Sequence, residues 1–207
     1  MSRYHIVGRA GAGSLIVEFL LREVGVAYDI SFPDPAAVKQ ADFHAANPLG
    51  RIPVLICSDG HRVFETMAII AHITSKFDRL APPAGTALYD RYNQFMALLA
   101  TSVYPAYHRQ HHCYYYGDEA AYESIRACAR AEQALVFDYL EEELAPYLCG
   151  NQLTAADFYL YMLSRWDVDK TAMRAGRPKL NALLDEIRAR PTVDAVLASQ
   201  PRRKLKA

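Results

Sequence analysis

The segment Asn47-Pro48-Leu49-Gly50-Arg51-Ile52-Pro53-Val54-Leu55 decides how this chain is read. Asn-Pro followed by Leu-Gly is a turn signal. It leads into an apolar, β-branched run in which proline stands near the start. Proline donates no ladder hydrogen bond, so in a sheet it is confined to an edge, a first position or a bulge. Pro53 therefore marks the entry to a strand over residues 52–56. Two geometries are open for the Ile52–Pro53 bond. A trans bond makes an ordinary strand entry. A cis bond, adopted by about 5–6% of X–Pro bonds, turns the N–H and C=O of Ile52 outward as an edge for a peptide-like ligand.

Downstream, Ser58-Asp59-Gly60-His61 separates this strand from Arg62-Val63-Phe64, the pattern of a β-hairpin with Asp-Gly in its turn. The second strand runs straight into Phe64-Glu65-Thr66-Met67-Ala68-Ile69, and Met67, Ile69, Ile70 and Ile73 have helical spacing through Phe77. The free N–H groups and dipole of such a helix start attract a carboxylate or phosphate. Thr66 adds a hydroxyl, and Glu65 can accept from an ammonium group, so a ligand end carrying both charges suits the pair. A plain N-cap by Thr66 is the simpler reading of the same residues.

Upstream, Tyr4-His5-Ile6-Val7 reads as a strand, followed by Gly8-Arg9-Ala10-Gly11-Ala12-Gly13. Ser14 then stands at or beside the N-cap of a helix over Leu15–Val24, closed by Gly25. Ala27–Phe32 alternates with period two, and a weaker helix falls within Ala36–Ala46. The order β-α-β-α-β-β-α implies a right-handed crossover and a mixed four-stranded sheet. A dinucleotide-binding reading of Gly11-x-Gly13 fails, because Ile16 stands where the third glycine is needed and no second sheet half follows.

Leu80-Ala81-Pro82-Pro83-Ala84-Gly85 is a linker by composition. Beyond it strand signals nearly vanish. Helices are expected over Leu88–Tyr104, Glu119–Leu144, Ala155–Trp166 and Pro178–Arg190, with a short one near Thr192–Ala198. The expected organisation is an α/β domain over 1–79, a linker over 80–85 and an all-α domain over 86–207.

Composition narrows the partners. With 52% hydrophobic residues the chain can build a packed core. Its 23 basic and 23 acidic residues leave a formal net charge of zero, against broad binding to nucleic acid or anionic membrane. No apolar run approaches the ~20 residues of a membrane span, and Met1–His5 has no secretory h-region, so a cytosolic protein is expected. Cys57, Cys113, Cys128 and Cys149 form no C-x-x-C pair and fit neither zinc nor redox spacing; four reduced thiols and no metal are expected. His108, His111 and His112 are spaced i, i+3, i+4, but without an acidic partner they read as a polar helix face rather than metal ligands. Arg202-Arg203-Lys204-Leu205-Lys206 reads as a basic tail.

The N-P-x-G-x-I-P and F-E-T-x-A-I segments, at this separation, resemble the glutathione S-transferase superfamily. The likeness extends over the whole chain: Gly150-Asn151-Gln152-Leu153-Thr154-Ala155-Ala156-Asp157 is similar to the family's G-x-x-x-T-x-A-D element, physically an N-capping box with a structural role. The resemblance implies a thioredoxin-like N-terminal domain. There the main chain of Ile52, before cis-Pro53, pairs with the cysteinyl part of glutathione, while Glu65 and Thr66 hold its γ-glutamyl end.

The thiol would then lie near Gly11-Ala12-Gly13-Ser14. The bacterial beta-type pattern G-A-C-S-L reads here with Gly13 in place of cysteine, and Gly8 and Arg9 leave no tyrosine at the strand end. Ser14 is the remaining hydroxyl, unless it only caps the helix. Lowering a thiol pKa from ≈8.5 to near 6.5 takes about 2.7 kcal/mol. A helix N-terminus supplies ~0.3–1 kcal/mol and a hydrogen bond to a charge ~1.5–3 kcal/mol. Dipole plus one donor therefore suffices, and Ser14 is the expected catalytic donor. Arg9, Tyr104 and Tyr107 are candidates for the electrophile pocket. The implied activity is glutathione transfer to a small electrophile by a homodimer. A glutathione-dependent isomerase or dehalogenase, or a non-catalytic binding protein of the same fold, are the alternatives.

Overall fold

The computed structural model describes residues 3–34 and 36–201 of the 207-residue chain. The basic tail expected at 202–206 lies outside the described residues. The chain divides into two compact units. One takes in the chain up to Leu80 together with the segment from Ala189 onward, and the other is Ala81–Arg188.

The first unit is a mixed four-stranded sheet in the order β2-β1-β3-β4, with β1 Tyr4–Val7, β2 Tyr28–Ser31, β3 Val54–Ile56 and β4 Arg62–Phe64. β1 pairs parallel with β2, as the crossover helix α1 (Ser14–Glu23) requires, and antiparallel with β3. β3 and β4 form the expected hairpin, in register Val54 to Phe64 and Ile56 to Arg62. Helix α1 is buried from Ser14 through Leu21. Each fully buried Leu, Ile, Val or Phe here contributes roughly 1.5–3 kcal/mol. The weak helix expected at 36–46 is a 3₁₀ turn, Ala37–Lys39, followed by a single turn, α2 (Ala41–His44). Helix α3 (Thr66–Phe77) has the predicted bounds and buries Ile69, Ile70, Ile73 and Thr74.

The second unit is helical. Pro105 lacks the N–H that a continuous helix needs. The helix expected over Leu88–Tyr104 is formed as α4 (Ala87–Leu98) and a π-helical turn Leu99–Val103, where the winding changes just before Pro105, and it continues past its expected end as α5 (Tyr104–His111). Then come α6 (Tyr122–Glu143), α7 (Ala155–Ser164), α8 (Lys170–Arg174) and α9 (Pro178–Ala189). Helix α8 carries too short an apolar pattern to be expected. The capping element is formed as read: the Asp157 carboxylate accepts from Thr154 N at 2.8 Å and Leu148 N at 2.9 Å, fully buried.

The segment from Ala189 onward, within the range 86–207 expected as the helical domain, groups by its contacts with the first unit. The last helix, α10 (Pro191–Ser199), returns to the first unit and packs on α1. Glu23, in the last turn of α1, binds both Arg190 and Thr192, and Val193 and Val196 are buried. Among the described residues no helix is long and apolar enough to cross a membrane.

Candidate active site

Asn47, 1% exposed, organises the loop before β3. Its side-chain amide donates to Arg51 O at 2.8 Å, and its oxygen accepts from Leu49 N at 3.0 Å. Gly50 has φ +59°, and a Cβ there would stand 2.9 Å from a His44 ring nitrogen, so the turn requires glycine. This clasp delivers Ile52 half-buried, with Pro53 buried behind it, and the bond between them is cis. Among the described residues no hydrogen bond engages the Ile52 main chain. In the sequence Asn47 is legible only as a turn signal; its asparagine-proline context carries no sign that the side chain is the clasp.

β4 carries the chain to Glu65, which has φ 68° and ψ 122°. A non-glycine residue so placed costs of the order of 1–3 kcal/mol and persists where the surroundings enforce it, often at functional sites. Glu65 is the N-cap residue of α3, but no side chain caps the helix. The first helical bond runs from Ile69 N to Glu65 O at 3.0 Å, leaving the preceding N–H groups open. Glu65 is exposed, and Thr66, next to it in the chain, is half-buried. Thr66 therefore does not serve as the N-cap that sequence alone allowed. A carboxylate acceptor, a hydroxyl and a dipole-positive helix end meet here, a set suited to a zwitterionic amino-acid group.

The third element is the turn between β1 and α1. Ser14 is the first residue of α1 and fully buried; the N-cap is Gly13. The Ser14 hydroxyl donates to Arg9 O at 3.0 Å and accepts from Arg9 N at 3.2 Å, so its proton is already committed to the turn. It also packs against Gly8, the residue after β1: a Cβ there would stand 2.6 Å from both Ser14 Cβ and Oγ. Among the described residues the Gly13 and Ser14 main-chain N–H groups have no acceptor. Gly11 N donates to Gln200 Oε1 at 3.2 Å, and the Gln200 amide donates to Glu18 at 3.0 Å. Glu18 is 1% exposed, and burial raises its carboxyl to about 7, against the lowering pull of Gln200, Tyr28 and Arg22. Neither Glu18 nor Gln200 is marked in the sequence: a glutamate inside an apolar helix and a glutamine after α10 have no local pattern in common.

Of the residues considered for the second substrate, Arg9 is exposed in the first unit. In the second, Tyr104 stands edge-on to Trp166 with ring centres 5.1 Å apart. Tyr107 is a correction: it is 1% exposed, its hydroxyl donates to Asp167 at 2.9 Å, and burial holds the phenol far above its ordinary pKa. It is a core residue and not the wall of an open pocket. The three histidines are engaged locally: His108 and His112 meet the hydroxyls of Tyr116 and Tyr114 at 2.8 and 3.0 Å, and His111 meets Trp166 O at 2.8 Å.

Comparison with known proteins gives the family. Residues 4–75 match the model of the glutathione S-transferase N-terminal domain, and residues 107–200 match that of the C-terminal domain. Glutathione S-transferase 3 of Zea mays is 32% identical over 207 residues, covering 89% of this chain and 88% of that protein. The chain belongs to the glutathione S-transferase family. Within that family it is also 25% identical to the uncharacterised GST-like protein YncG of Escherichia coli, over 93% of this chain and 96% of that one. A sphingomonad glutathione S-transferase solved in complex with glutathione has a TM-score of 0.79 and 26% identity, covering 94% of this chain and 98% of that one.

Proposed function

We propose that the first unit binds glutathione and that the protein uses the bound thiolate to attack a small electrophile. The observation that carries this reading is Glu65, an exposed acidic residue held at positive φ as the N-cap of α3, whose first N–H groups are open. A free α-amino group meets the carboxylate, the adjoining α-carboxylate meets the helix start and the Thr66 hydroxyl, and the unpaired main chain of Ile52 receives the next peptide unit. That pattern of charges and amides belongs to a γ-glutamyl peptide.

The sulfur then falls at the turn before α1. The donors there are the main-chain N–H groups of Gly13 and Ser14, aided by the helix dipole. One such hydrogen bond to a charged group, ~1.5–3 kcal/mol, plus ~0.3–1 kcal/mol from the dipole covers the ~2.7 kcal/mol that a two-unit pKa drop needs. Ser14 acts through its N–H, while its hydroxyl, bound to Arg9 O, shapes the turn. Attack by the thiolate forms a carbon–sulfur bond and expels the electrophile's leaving group, or protonates the adduct from water where none leaves.

The commitment of the Ser14 hydroxyl to Arg9 also supports a second reading, a glutathione-binding protein without turnover. Calorimetry with reduced glutathione, together with turnover of a general aromatic halide, separates the two. Binding with turnover supports the transferase, binding alone supports the second reading, and no binding overturns both.

A further inference from the structure

At the far end of the β3–β4 hairpin, Cys57 Sγ and one ring nitrogen each of His61 and His72 lie within 4.8 Å of one another. Cys57 follows β3 and is 3% exposed, His61 precedes β4 and is exposed, and His72 is half-buried in the second turn of α3. The geometry points to a site for a single borderline divalent cation of the Zn²⁺ class, held by Cys57, His61 and His72 with a water in the fourth position.

Three features support it. The Cys57 Sγ to His72 Nε2 separation is 3.4 Å. Tetrahedral zinc with Zn–S ≈ 2.3 Å and Zn–N ≈ 2.0–2.1 Å sets S and N about 3.5 Å apart, so this pair is already at chelating distance. Second, Asp59 Oδ1 accepts from His61 Nδ1 at 2.5 Å and from His61 N at 3.1 Å. A carboxylate on one imidazole nitrogen fixes the tautomer and leaves Nε2 for a metal, the supporting arrangement common around ligating histidines. Third, the turn is rigid: Cys57 N donates to His61 O at 2.8 Å, and Gly60 N to Cys57 O at 2.9 Å. Only the exposed His61 ring has to close on the other two, by at most about 1.4 Å on the same tetrahedral spacing.

The donor set selects the metal. One thiolate and two imidazoles suit Zn²⁺ or Co²⁺, whereas Mg²⁺ and Ca²⁺ demand oxygen ligands. The Cys57 proton leaves to solvent on binding, since a coordinated thiol is deprotonated. Tyr4 OH, now 3.2 Å from His72 Nε2, gives up that bond when the nitrogen takes the metal. Lys76, one turn beyond His72 on α3, opposes the cation but is exposed and screened by salt. The spacing C-x₃-H-x₁₀-H belongs to no familiar zinc pattern, and the sheet and α3 bring the three together. The site is about four residues of strand from Pro53, ~13 Å at ≈3.3 Å per residue, so it stands or falls independently of glutathione.

The test is Co²⁺ titration of untagged, full-length protein in a Cys128→Ser background, which removes the exposed thiol. The expected result is one equivalent bound, with tetrahedral d–d bands and a thiolate-to-Co²⁺ charge-transfer band that Zn²⁺ displaces. Cys57→Ser abolishes the charge-transfer band, His61→Gln and His72→Gln weaken binding at least ten-fold, and Asp59→Asn weakens it about ten-fold. A His108→Gln, His112→Gln double variant binds as the parent does. Should Cys57→Ser not fold, the exposed His61→Gln decides. Absence of the charge-transfer band, its survival in Cys57→Ser, unaltered affinity in His61→Gln, or loss of binding only in the double variant overturns the proposal.

Discussion

Glu65 tests the proposed site most sharply, because backbone strain and ligand charge are carried by one residue and two substitutions separate them. At φ 68° and ψ 122° the residue costs about 1–3 kcal/mol relative to relaxed backbone. Glycine adopts positive φ freely but loses more chain entropy on folding, roughly 0.5–1 kcal/mol. Glu65→Gly should therefore gain about 1 kcal/mol, raising Tm by ~2–4 °C for a chain of this size. The same variant removes the ammonium acceptor. A charge-assisted hydrogen bond of ~1.5–3 kcal/mol corresponds to a ten-fold or greater loss of glutathione affinity. Glu65→Gln keeps the backbone strain and removes only the charge, so its Tm should match the parent while its affinity falls similarly. Thermal unfolding and calorimetry on the three proteins read both quantities. A Tm drop in Glu65→Gly would refute the strain argument, and parental affinity in Glu65→Gln would refute the assignment of the amino group.

Ser14→Ala should move the pKa of bound glutathione by less than half a unit in ultraviolet thiolate titration. Loss of two part-buried hydrogen bonds should still cost ~1–2 kcal/mol in denaturant unfolding; a shift of a full unit would make the hydroxyl the donor. Folded Glu18 keeps its proton up to about pH 7, whereas the unfolded chain releases it near 4.5, so the folded state binds more protons between those values. Stability from this group is full below pH 4.5 and declines by up to ~3 kcal/mol as pH rises through 7. Glu18→Gln should flatten that part of the Tm–pH curve, and a curve parallel to the parent's would show that Glu18 titrates normally. Asp157→Ala strips buried acceptors from Leu148 N and Thr154 N and should cost at least ~2 kcal/mol in urea, with glutathione binding retained by the folded fraction.

What was legible in the sequence had a local cause. The strand entry at Pro53, the Asp-Gly hairpin, the period of α3 and the Thr154–Asp157 box each depend on residues within a few positions of one another, and each is formed. Residues drawn together by the fold left weaker traces. α10 is separated from its packing partner α1 by most of the chain, and the Glu23 bonds to Arg190 and Thr192 that return it to the first unit have no periodicity. Tyr107 looked like a pocket residue because tyrosine carries a polar handle, but its partner Asp167 is 60 positions away. Ser14 shows the same limit at the site itself. Its position at the turn is plain from the glycines around it, yet the direction of its hydroxyl is set by the Arg9 carbonyl, whose orientation only the closed turn defines. Residue type and spacing therefore located the turn, while the choice between side-chain and main-chain donation rests on a hydrogen bond that the sequence does not encode locally.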